Sequence, residues 1–521
     1  MLAACQAPTP GAAPTPASDA GEPSNVRHLE SGDVRGAARG DTVAFKGIPY
    51  ATPPVGRLRW KPPEAAIPWG GVRDASTFGA TCVQQSLETG APAGGSEDCL
   101  TLNVWVPSDR EAPPEGFPVM VYIHGGFFTR GSASEKLEDK EVYDGRALAE
   151  RGHVIVVTLN YRLGALGYLA HSALAKESSF SATGNYGGLD QIAALAWVQR
   201  NIPSLSGNPK NVTVFGQSAG GYATCSLVTS PLAKGLFSRA IIHSGNCSTR
   251  ERSIAEAQGD AVATALGCEG TADVVACMRE KRPEEVVGAK APNFTAGATF
   301  SWGPTVDGYM LPSQPYALIG KGLHNQVSLI IGVTALEFSS LWASAYPTVA
   351  LPKTESEYRD VVNKLYGSTA AETLTEHYPL SEYASPAHAV VSMASDISFV
   401  CPARAYARLF VAHQKEPVRR FVFSHGFDSG SAKTYGAGHG FDLFYVFRLF
   451  PFSFWTPSER EIALSDTMTD YWTQFATTGD PNGTVPWLPY DPASDSYLDL
   501  DVAVRQAAGF RKAQCDFIDS I

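Results

Sequence analysis

Six stretches of the chain consist mainly of apolar residues, and each ends at or near a glycine or an asparagine. Apolar runs without polar alternation are typical of parallel strands that are buried on both faces. The pattern therefore predicts a mostly parallel β-sheet. The predicted strands are 119–126, 153–162, 211–218, 239–246, 328–337 and 419–426.

Helical patterns lie between some of these strands. The segment GLDQIAALAWVQRNI places Leu189, Ile192 and Ala196 on one face, and Ala223 and Leu227 follow at a similar spacing after the 211–218 strand. One apolar stripe is typical of a helix that packs on a core. Strands that alternate with helices predict an α/β fold, a central mostly parallel sheet flanked by helices.

The predicted domain organisation is one catalytic domain over residues 26–521, preceded by a disordered tether over residues 1–25. The tether has five prolines after its first residues and cannot bury enough apolar surface to fold. It begins MLAAC, which resembles the lipobox of bacterial lipoproteins, so we expect lipidation at Cys5. The irregular Pro/Gly-rich stretches 51–98 and 338–400 are expected to be insertions into the domain.

Composition and charge exclude several classes of function. With 41 Lys and Arg against 52 Asp and Glu, the net charge is −11, and basic residues form no stripe, which excludes a nucleic-acid partner. No apolar run approaches the roughly 18 residues of a transmembrane helix. The sequence has no zinc-spaced cluster and no phosphate-binding loop. We therefore expect no cofactor and no metal, and the oligomeric state stays open.

The cysteines indicate an oxidising compartment. Beyond Cys5 the chain has eight, an even number, and Cys82 with Cys99 and Cys268 with Cys277 could each close a short loop. Together with the lipobox, this predicts an exported protein, secreted, periplasmic or lipid-anchored at a bacterial cell envelope.

A serine flanked by glycines stands where the third predicted strand ends. Gly216-Gln217-Ser218-Ala219-Gly220 follows the strand and opens a helix. Ligands bind beyond the carboxyl ends of parallel strands, and a sharp strand-to-helix turn admits only very small residues two positions from the serine. The helix N-terminus favours a developing negative charge. This context predicts a nucleophilic hydroxyl at Ser218.

Such a serine needs a base and an orienting carboxylate, expected in the order serine, acid, histidine. Glu337 follows the fifth predicted strand, but Asp307 and Asp396 are alternatives for the acid. His425 directly follows a strand, whereas His439 lies between glycines that would let a loop aim an imidazole. Spacing alone leaves both histidines open.

Motifs along almost the whole chain beyond the tail resemble the type-B carboxylesterases, a branch of the α/β-hydrolases that includes cholinesterases, some lipases and the non-catalytic neuroligins. The resemblance implies the α/β-hydrolase fold, with Ser218 as nucleophile, Glu337 as acid and His439 as base. It gives Asp396 a structural place. The motifs are FKGIPYATPPVGRLRWKPP, SEDCLTLNVWVP, VYIHGGFF, NYRLGALGYL, GNYGGLDQIAALAWVQRNI, VTVFGQSAGG, HSG, PTVDG, IGVTALE, GAGHGFDLFYVF and AQCDF.

The resemblance also implies an oxyanion hole and a disulfide pattern. Backbone N–H groups of Gly126, Phe127 and Ala219 would bind the oxyanion, and Ser244 would hydrogen-bond near the acid. Cys225 and Cys247 match no bridge of the family. The implied disulfides are Cys82–Cys99, Cys268–Cys277 and Cys401–Cys515.

Among the departures from the family pattern, two lie beside the predicted site, and a third is LSGNP where Phe-Gly-Gly is usual. Phe127 stands where a glycine or alanine is usual, and its ring should narrow the acyl pocket. Gln217 stands where glutamate is common, a change that we expect not to touch the triad. An apolar wall for the ester is expected from aromatic residues, namely Phe127, Phe128, Trp302, Phe441 and Phe444.

The predicted function is hydrolysis of small to medium apolar carboxylic esters through an acyl-enzyme. The alternatives are a lipase acting on longer acyl glycerides and a neuroligin-like binding scaffold. Neuroligins lack the nucleophile, whereas this chain keeps Ser218. A choline-ester specialist is not favoured, because the loop between Cys82 and Cys99 has no aromatic residue.

Overall fold

The structure is a computed structural model that describes residues 25–86, 90–289, 301–483 and 485–520. Residues 1–24 of the predicted tether, including Cys5, lie outside the described residues.

The described residues form sixteen β-strands. In chain order they are β1 Val26–Leu29, β2 Gly32–Arg35, β3 Ala37–Arg39, β4 Thr42–Pro49, β5 Val72–Asp74, β6 Thr101–Pro107, β7 Phe117–Ile123, β8 Lys136–Leu137, β9 Lys140–Glu141, β10 Ile155–Leu159, β11 Gly207–Gln217, β12 Arg239–His243, β13 Ser328–Thr334, β14 Val418–Phe423, β15 Ser496–Leu500 and β16 Arg505–Ala508.

Eleven of these strands form one large sheet. Its order is β16-β15-β14-β13-β12-β11-β7-β10-β6-β4-β3. The strands from β15 to β10 run parallel, and the strands beyond them at both edges are antiparallel. The six strands predicted from the apolar runs are the contiguous centre of this sheet, so the prediction of a mostly parallel sheet is confirmed.

Seventeen α-helices are found in the described residues. They are α1 Arg146–Gly152, α2 Gly164–Tyr168, α3 Ser172–Glu177, α4 Tyr186–Asn201, α5 Ala219–Thr229, α6 Arg252–Ala265, α7 Val274–Glu280, α8 Pro283–Gly288, α9 Pro315–Gly320, α10 Phe338–Ala345, α11 Glu355–Tyr366, α12 Ser368–His377, α13 Pro386–Ser395, α14 Cys401–His413, α15 Asp442–Val446, α16 Glu459–Thr478 and α17 Lys512–Ile518.

Two hydrophobic cores lie on opposite faces of the sheet, because side chains alternate along each strand. On β7, Val119 and Val121 belong to one core, and Met120 and Tyr122 belong to the other. The predicted α/β arrangement, a central sheet with flanking helices, is confirmed.

The helix predicted before β11 is present as α4, but its predicted inward face is wrong. Leu189, Ile192 and Ala196 are half-buried, whereas Asp190 and Leu195 are buried completely. The reason is an ion pair, because the Asp190 carboxylate binds the guanidinium of buried Arg162 at 2.7 Å. A prediction that treats every acidic residue as exposed therefore assigns the wrong face of this helix to the core.

The stretch 338–400, predicted as an irregular insertion, is largely helical and contains four α-helices, α10 to α13. A single π-helical turn, Asp396–Val400, joins α13 to α14. Within the described ranges, every helix is too short or too polar to cross a bilayer.

Four disulfides tie the loops together. Three of them are the bridges that the family resemblance implies, Cys82–Cys99, Cys268–Cys277 and Cys401–Cys515. The fourth joins Cys225 to Cys247, the two cysteines left without a partner in the sequence. It connects α5 to the segment that follows β12.

Candidate active site

Ser218 occupies a strained turn between β11 and α5. Its φ of 58° and ψ of −127° lie in a region that side-chain-bearing residues rarely adopt. A Cβ at Gly216 would lie 2.3 Å from the carbonyl oxygen of Gly220, and a Cβ at Gly220 would lie 2.0 Å from that of Ile123. Both glycines are therefore required, and the turn presents the Ser218 hydroxyl beyond the carboxyl end of the sheet.

The glycine loop after β7 lies against this turn. A Cβ at Gly125 would be 3.1 Å from the Cβ of Ser218. Gly126 and Phe127 have φ values of 107° and 58°, and the carbonyl of Gly126 accepts hydrogen bonds within its own loop. Ala219 is the first residue of α5, where backbone N–H groups have no intrahelical partner. The three predicted oxyanion-hole residues thus lie on two segments that meet at Ser218.

His439 is bonded to Glu337. Nδ1 of the imidazole donates to Oε2 of Glu337 at 2.5 Å, and the two side chains are 7% and 0% exposed. Glu337 directly precedes α10 and follows β13, and its other oxygen accepts from the backbone N–H of Thr334 at 2.8 Å. Both oxygens of this buried carboxylate are thus used, and Nδ1 carries the proton.

Gln217 contacts the other nitrogen of the same imidazole. Nε2 of Gln217 lies 3.0 Å from Nε2 of His439. Because Nδ1 of His439 donates to Glu337, its Nε2 accepts and the Gln217 amide donates. The expectation that Gln217 does not touch the triad residues is wrong. The contact spans 222 residues of sequence, and no local pattern signals it.

The alternative histidine is bonded elsewhere. His425 places its Nδ1 2.7 Å from Asp501 and its Nε2 3.2 Å from Glu461, so both ring nitrogens face carboxylates. Asp307, an alternative acid, accepts from the backbone N–H groups of Tyr309 and Leu311. Neither residue is bonded to His439.

Asp396, the other alternative acid, is buried in the π-helical turn. One of its carboxylate oxygens accepts from the Tyr378 hydroxyl at 3.0 Å and lies 3.6 Å from Nε of Arg511. Within the described part of the chain, its other oxygen has no hydrogen-bond partner. Burial raises the pKa of Asp396 to about 7, despite the nearby guanidinium. The carboxyl group supports the insertion and does not contact the imidazole of His439.

A third histidine stands at the start of the glycine loop. His124 is buried, stacks on Tyr161 with ring centroids 4.4 Å apart, and donates from Nδ1 to the Gly125 carbonyl. Burial lowers the pKa of His124 to about 4. It therefore stays neutral at physiological pH and supports the loop as a scaffold.

The predicted role of Ser244 is wrong. Its backbone N–H donates to Gly332, but its buried hydroxyl has no hydrogen-bond partner among the described residues. Its hydroxyl therefore makes no hydrogen bond to Glu337.

The predicted aromatic wall divides into core and site residues. Phe128 is fully buried against Tyr168 and belongs to the core. Phe127 is half-buried beside the guanidinium of Arg130, 5.0 Å from its ring centroid. Phe399 of the π-helical turn, which the sequence did not single out, lies 5.1 Å from the His439 ring centroid.

The other predicted wall residues differ in how deeply they are buried. Trp302 is buried beneath Arg250, whereas Phe441 and Phe444 are half-buried and contact each other at 6.0 Å between centroids. Phe441 directly follows the loop that carries His439, which keeps it as a candidate for the wall.

One side-chain cluster in the described ranges has metal-ligand residue types. Single ligand atoms of His425, Asp428 and Glu461 lie within 4.8 Å of one another. Oε1 of Glu461 accepts from Trp455 at 3.1 Å and from Tyr445 at 3.2 Å. Its lone pairs are therefore used by donors, and the cluster is a hydrogen-bonded network that braces the start of α16.

Several known proteins are similar to this chain over most of its length. The chain is 36% identical over 482 residues to a fumonisin B1 esterase of Sphingopyxis macrogoltabida, covering 89% of this chain and 84% of that protein. It is 35% identical over 533 residues to a medium-chain fatty acyl-CoA hydrolase precursor of Anas platyrhynchos, covering 93% and 90%. It is also 33% identical to human neuroligin-2, covering 93% of this chain but 66% of that protein.

The match to a family model extends over nearly the whole chain, from residue 23 to residue 518. Esterases and hydrolases of bacterial and animal origin are similar to it along almost their full length. With its α/β sheet and its serine turn, the chain belongs to the carboxylesterase family, and its reaction is the hydrolysis of carboxylic esters.

Proposed function

We propose that Ser218, His439 and Glu337 form the catalytic triad of this ester hydrolase. The observation that carries the proposal is the bond between Nδ1 of His439 and Glu337, with Nε2 of the same ring directed at the residue that precedes Ser218. A buried carboxylate that fixes the imidazole tautomer is what a serine nucleophile requires of its base.

Acylation begins when Ser218 Oγ attacks the ester carbonyl and its proton passes to Nε2 of His439. Glu337 stabilises the imidazolium that results. His439 then gives the proton to the departing alkoxide, which leaves as the alcohol. Water repeats the sequence on the acyl-enzyme, giving the carboxylic acid and free Ser218.

The developing oxyanion needs preorganised donors. The backbone N–H groups of Gly126, Phe127 and Ala219 are the proposed donors, and one such donor contributes about 3 kcal/mol to transition-state stabilisation in other serine hydrolases. The positive dipole end of α5 adds to this stabilisation.

The proposed substrates are small to medium apolar carboxylic esters. The benzyl group of Phe127 stands on the loop that meets Ser218 and leaves less space for an acyl chain than glycine or alanine would. The relative named as an esterase supports an ester substrate, and the relative named as a medium-chain fatty acyl-CoA hydrolase precursor supports an acyl group of medium length. A profile that peaks at long acyl chains would instead favour a lipase.

Hydrolysis of p-nitrophenyl esters and labelling by an organophosphate would test the proposed triad. Ser218→Ala should lower kcat by at least about 10⁴-fold and abolish labelling. Ser244→Ala, another buried serine after the adjacent strand, should keep both. Full hydrolysis by Ser218→Ala would refute the triad, and an unlabelled, inactive wild type would favour a non-catalytic scaffold.

We also propose that the protein is exported and anchored through Cys5. The four disulfides support an oxidising compartment. The protein expressed with a bacterial export signal should enter the membrane fraction, and Cys5→Ala should release it. Equal distribution of both proteins between the fractions would refute the anchor.

A further inference from the structure

The nitrogen of His439 that general-base catalysis needs is already occupied by a side chain. With Nδ1 protonated and bonded to Glu337, the ring has one lone pair, on Nε2. The amide of Gln217 donates to this lone pair at 3.0 Å. A hydroxyl at Ser218 needs the same lone pair in order to give up its proton, so the two donors compete.

We propose that Gln217 is a positioning residue that holds His439 neutral in the resting enzyme and that Ser218 displaces its amide when an ester binds. The inference rests on the proposed roles of Ser218 and His439. It assigns a role in the reaction to Gln217, which from the family motif alone is only a replacement of the usual glutamate.

Gln217 is buried between the two loops of the site. The residue is 6% exposed and ends β11, where its backbone pairs in register with His243 of β12. A Cβ at Gly440 would lie 3.6 Å from the amide nitrogen, and a Cβ at Gly125 would lie 3.4 Å from the amide oxygen. The carboxamide thus lies between the glycine loop and the histidine loop, and both loops present to it a glycine that has no side chain.

Few charges act on the imidazole. Of the described side chains that contact the His439 ring, Glu337 carries the charge, whereas Gln217 and Phe399 are neutral. On the adjacent strand, Nδ1 of His243 bonds to Asp442 at 2.6 Å and its Nε2 accepts from Trp472. Both nitrogens of His243 are therefore bonded to residues other than His439. A change of charge at position 217 should therefore act directly on His439.

The amide, as it is placed, favours the neutral form of the base. Its N–H group donates to the lone pair on Nε2 of the neutral imidazole, whereas the Nε2–H group of an imidazolium would face that amide N–H group without an acceptor. A carboxylate at the same place can only accept and favours the charged ring, which is inactive as a base. An apolar side chain removes the preference for the neutral form.

The first test is the pH dependence of kcat/KM with p-nitrophenyl acetate. Gln217→Met should move the acid limb upward by about 0.5–1 pH unit, and Gln217→Glu by about 1–3 units, because the hydrogen bond to the neutral ring is lost and then replaced by a charge. At pH values below the acid limb of wild type, kcat/KM of Gln217→Glu should be at least about tenfold lower than that of wild type. Gln506→Glu on β16, with the same added charge, should match wild type.

The second test does not depend on activity. In the Ser218→Ala background, the low-field proton resonance of the Nδ1–H group bonded to Glu337 reports the titration of His439. The same order is expected, with wild-type Gln217 lowest, Met higher and Glu highest. The inference is overturned if His439 titrates with the same midpoint whether residue 217 is Gln, Met or Glu. It is also overturned if neither variant moves the acid limb of kcat/KM. Hydrolysis that survives Ser218→Ala refutes the triad instead, and the resonance still decides the role of Gln217.

Discussion

Glu337 and His439 lie 102 residues apart in the chain, yet the carboxylate oxygen of the first is 2.5 Å from Nδ1 of the second. The two residues follow adjacent parallel strands, β13 and β14, so the sheet brings their loops together at its carboxyl edge. Burial of Glu337 removes water as a competitor for this bond.

Glu337→Gln should lower kcat by about 10³- to 10⁴-fold while it keeps the fold, because an amide can turn its N–H group to Nδ1 and favour the wrong tautomer. The measurement is steady-state hydrolysis of a p-nitrophenyl ester, with circular dichroism as a check on folding.

The matched control for this change is Glu461→Gln, since Glu461 is also a fully buried carboxylate that contacts a histidine, His425. It should lower the free energy of unfolding, because four donors around Oε1 lose a charged acceptor, and leave kcat of the folded enzyme within about threefold of wild type. Equal losses of kcat in the two variants would contradict the assignment of Glu337.

The centre of the sheet could be predicted from the sequence, and its edges could not. The central strands are mainly apolar runs because both of their faces are buried. Strand β4 is interrupted by Lys46, which is 5% exposed and bonds to Glu141 at 2.8 Å across 95 residues. Its neighbour β6 is also fully buried but contains Asn103. Burial of such groups depends on long-range partners, which a local pattern does not contain.

The site was predictable to a similar extent. Ser218 is identified by the steric requirement of a strand-to-helix turn, which fixes two glycines in the sequence. Glu337 and His439 are separated from their alternatives only by family motifs, since Asp396 and His425 also follow buried elements. The bond from Gln217 to His439 depends on one side-chain conformation and a distant loop, so no property of the pentapeptide encodes it.

Phe127→Ala should shift acyl-chain preference toward longer or bulkier esters. Removing the ring enlarges the space beside Ser218, whereas the proposed N–H donor at position 127 belongs to the backbone and is retained. The ratio of kcat/KM for the p-nitrophenyl octanoate to that for the acetate should rise by about tenfold, within the range that a few buried methylenes supply.

Phe128→Leu is the control for Phe127→Ala, because Phe128 is fully buried in the core and contacts Tyr168. It should lower stability and leave the acyl-chain ratio unchanged. The same ratio in wild type and Phe127→Ala would show that the ring does not border the acyl site.

Gly220→Ala should destabilise the protein by at least about 3 kcal/mol, because its methyl group would overlap the Ile123 carbonyl and neither backbone can move without breaking β7. Gly320→Ala provides the control, since a Cβ there meets no atom within 4 Å. Urea unfolding of both variants measures the difference, and similar midpoints would mean that the turn can relax.

Asp396 should make stability depend on pH. Its pKa is raised to about 7 by burial, whereas an unfolded chain leaves it near its usual value of about 3.9. Between these values the folded protein binds more protons than the unfolded chain, so the contribution to stability is full below about pH 4 and is lost as the pH rises to about 7.

The slope of this loss is at most about 1.4 kcal/mol per pH unit. Asp396→Asn keeps the acceptor for the Tyr378 hydroxyl but cannot ionise. Relative to wild type, this variant should therefore gain stability as the pH rises from 5 to 8, as measured by urea unfolding at each pH with the disulfides intact. The Arg511 guanidinium, 3.6 Å away, reduces the effect, and Arg511→Gln should enlarge it in a chain that retains Asp396. Parallel stability curves for wild type and Asp396→Asn would mean that the carboxylate is ionised in the folded protein and that Arg511 balances its burial.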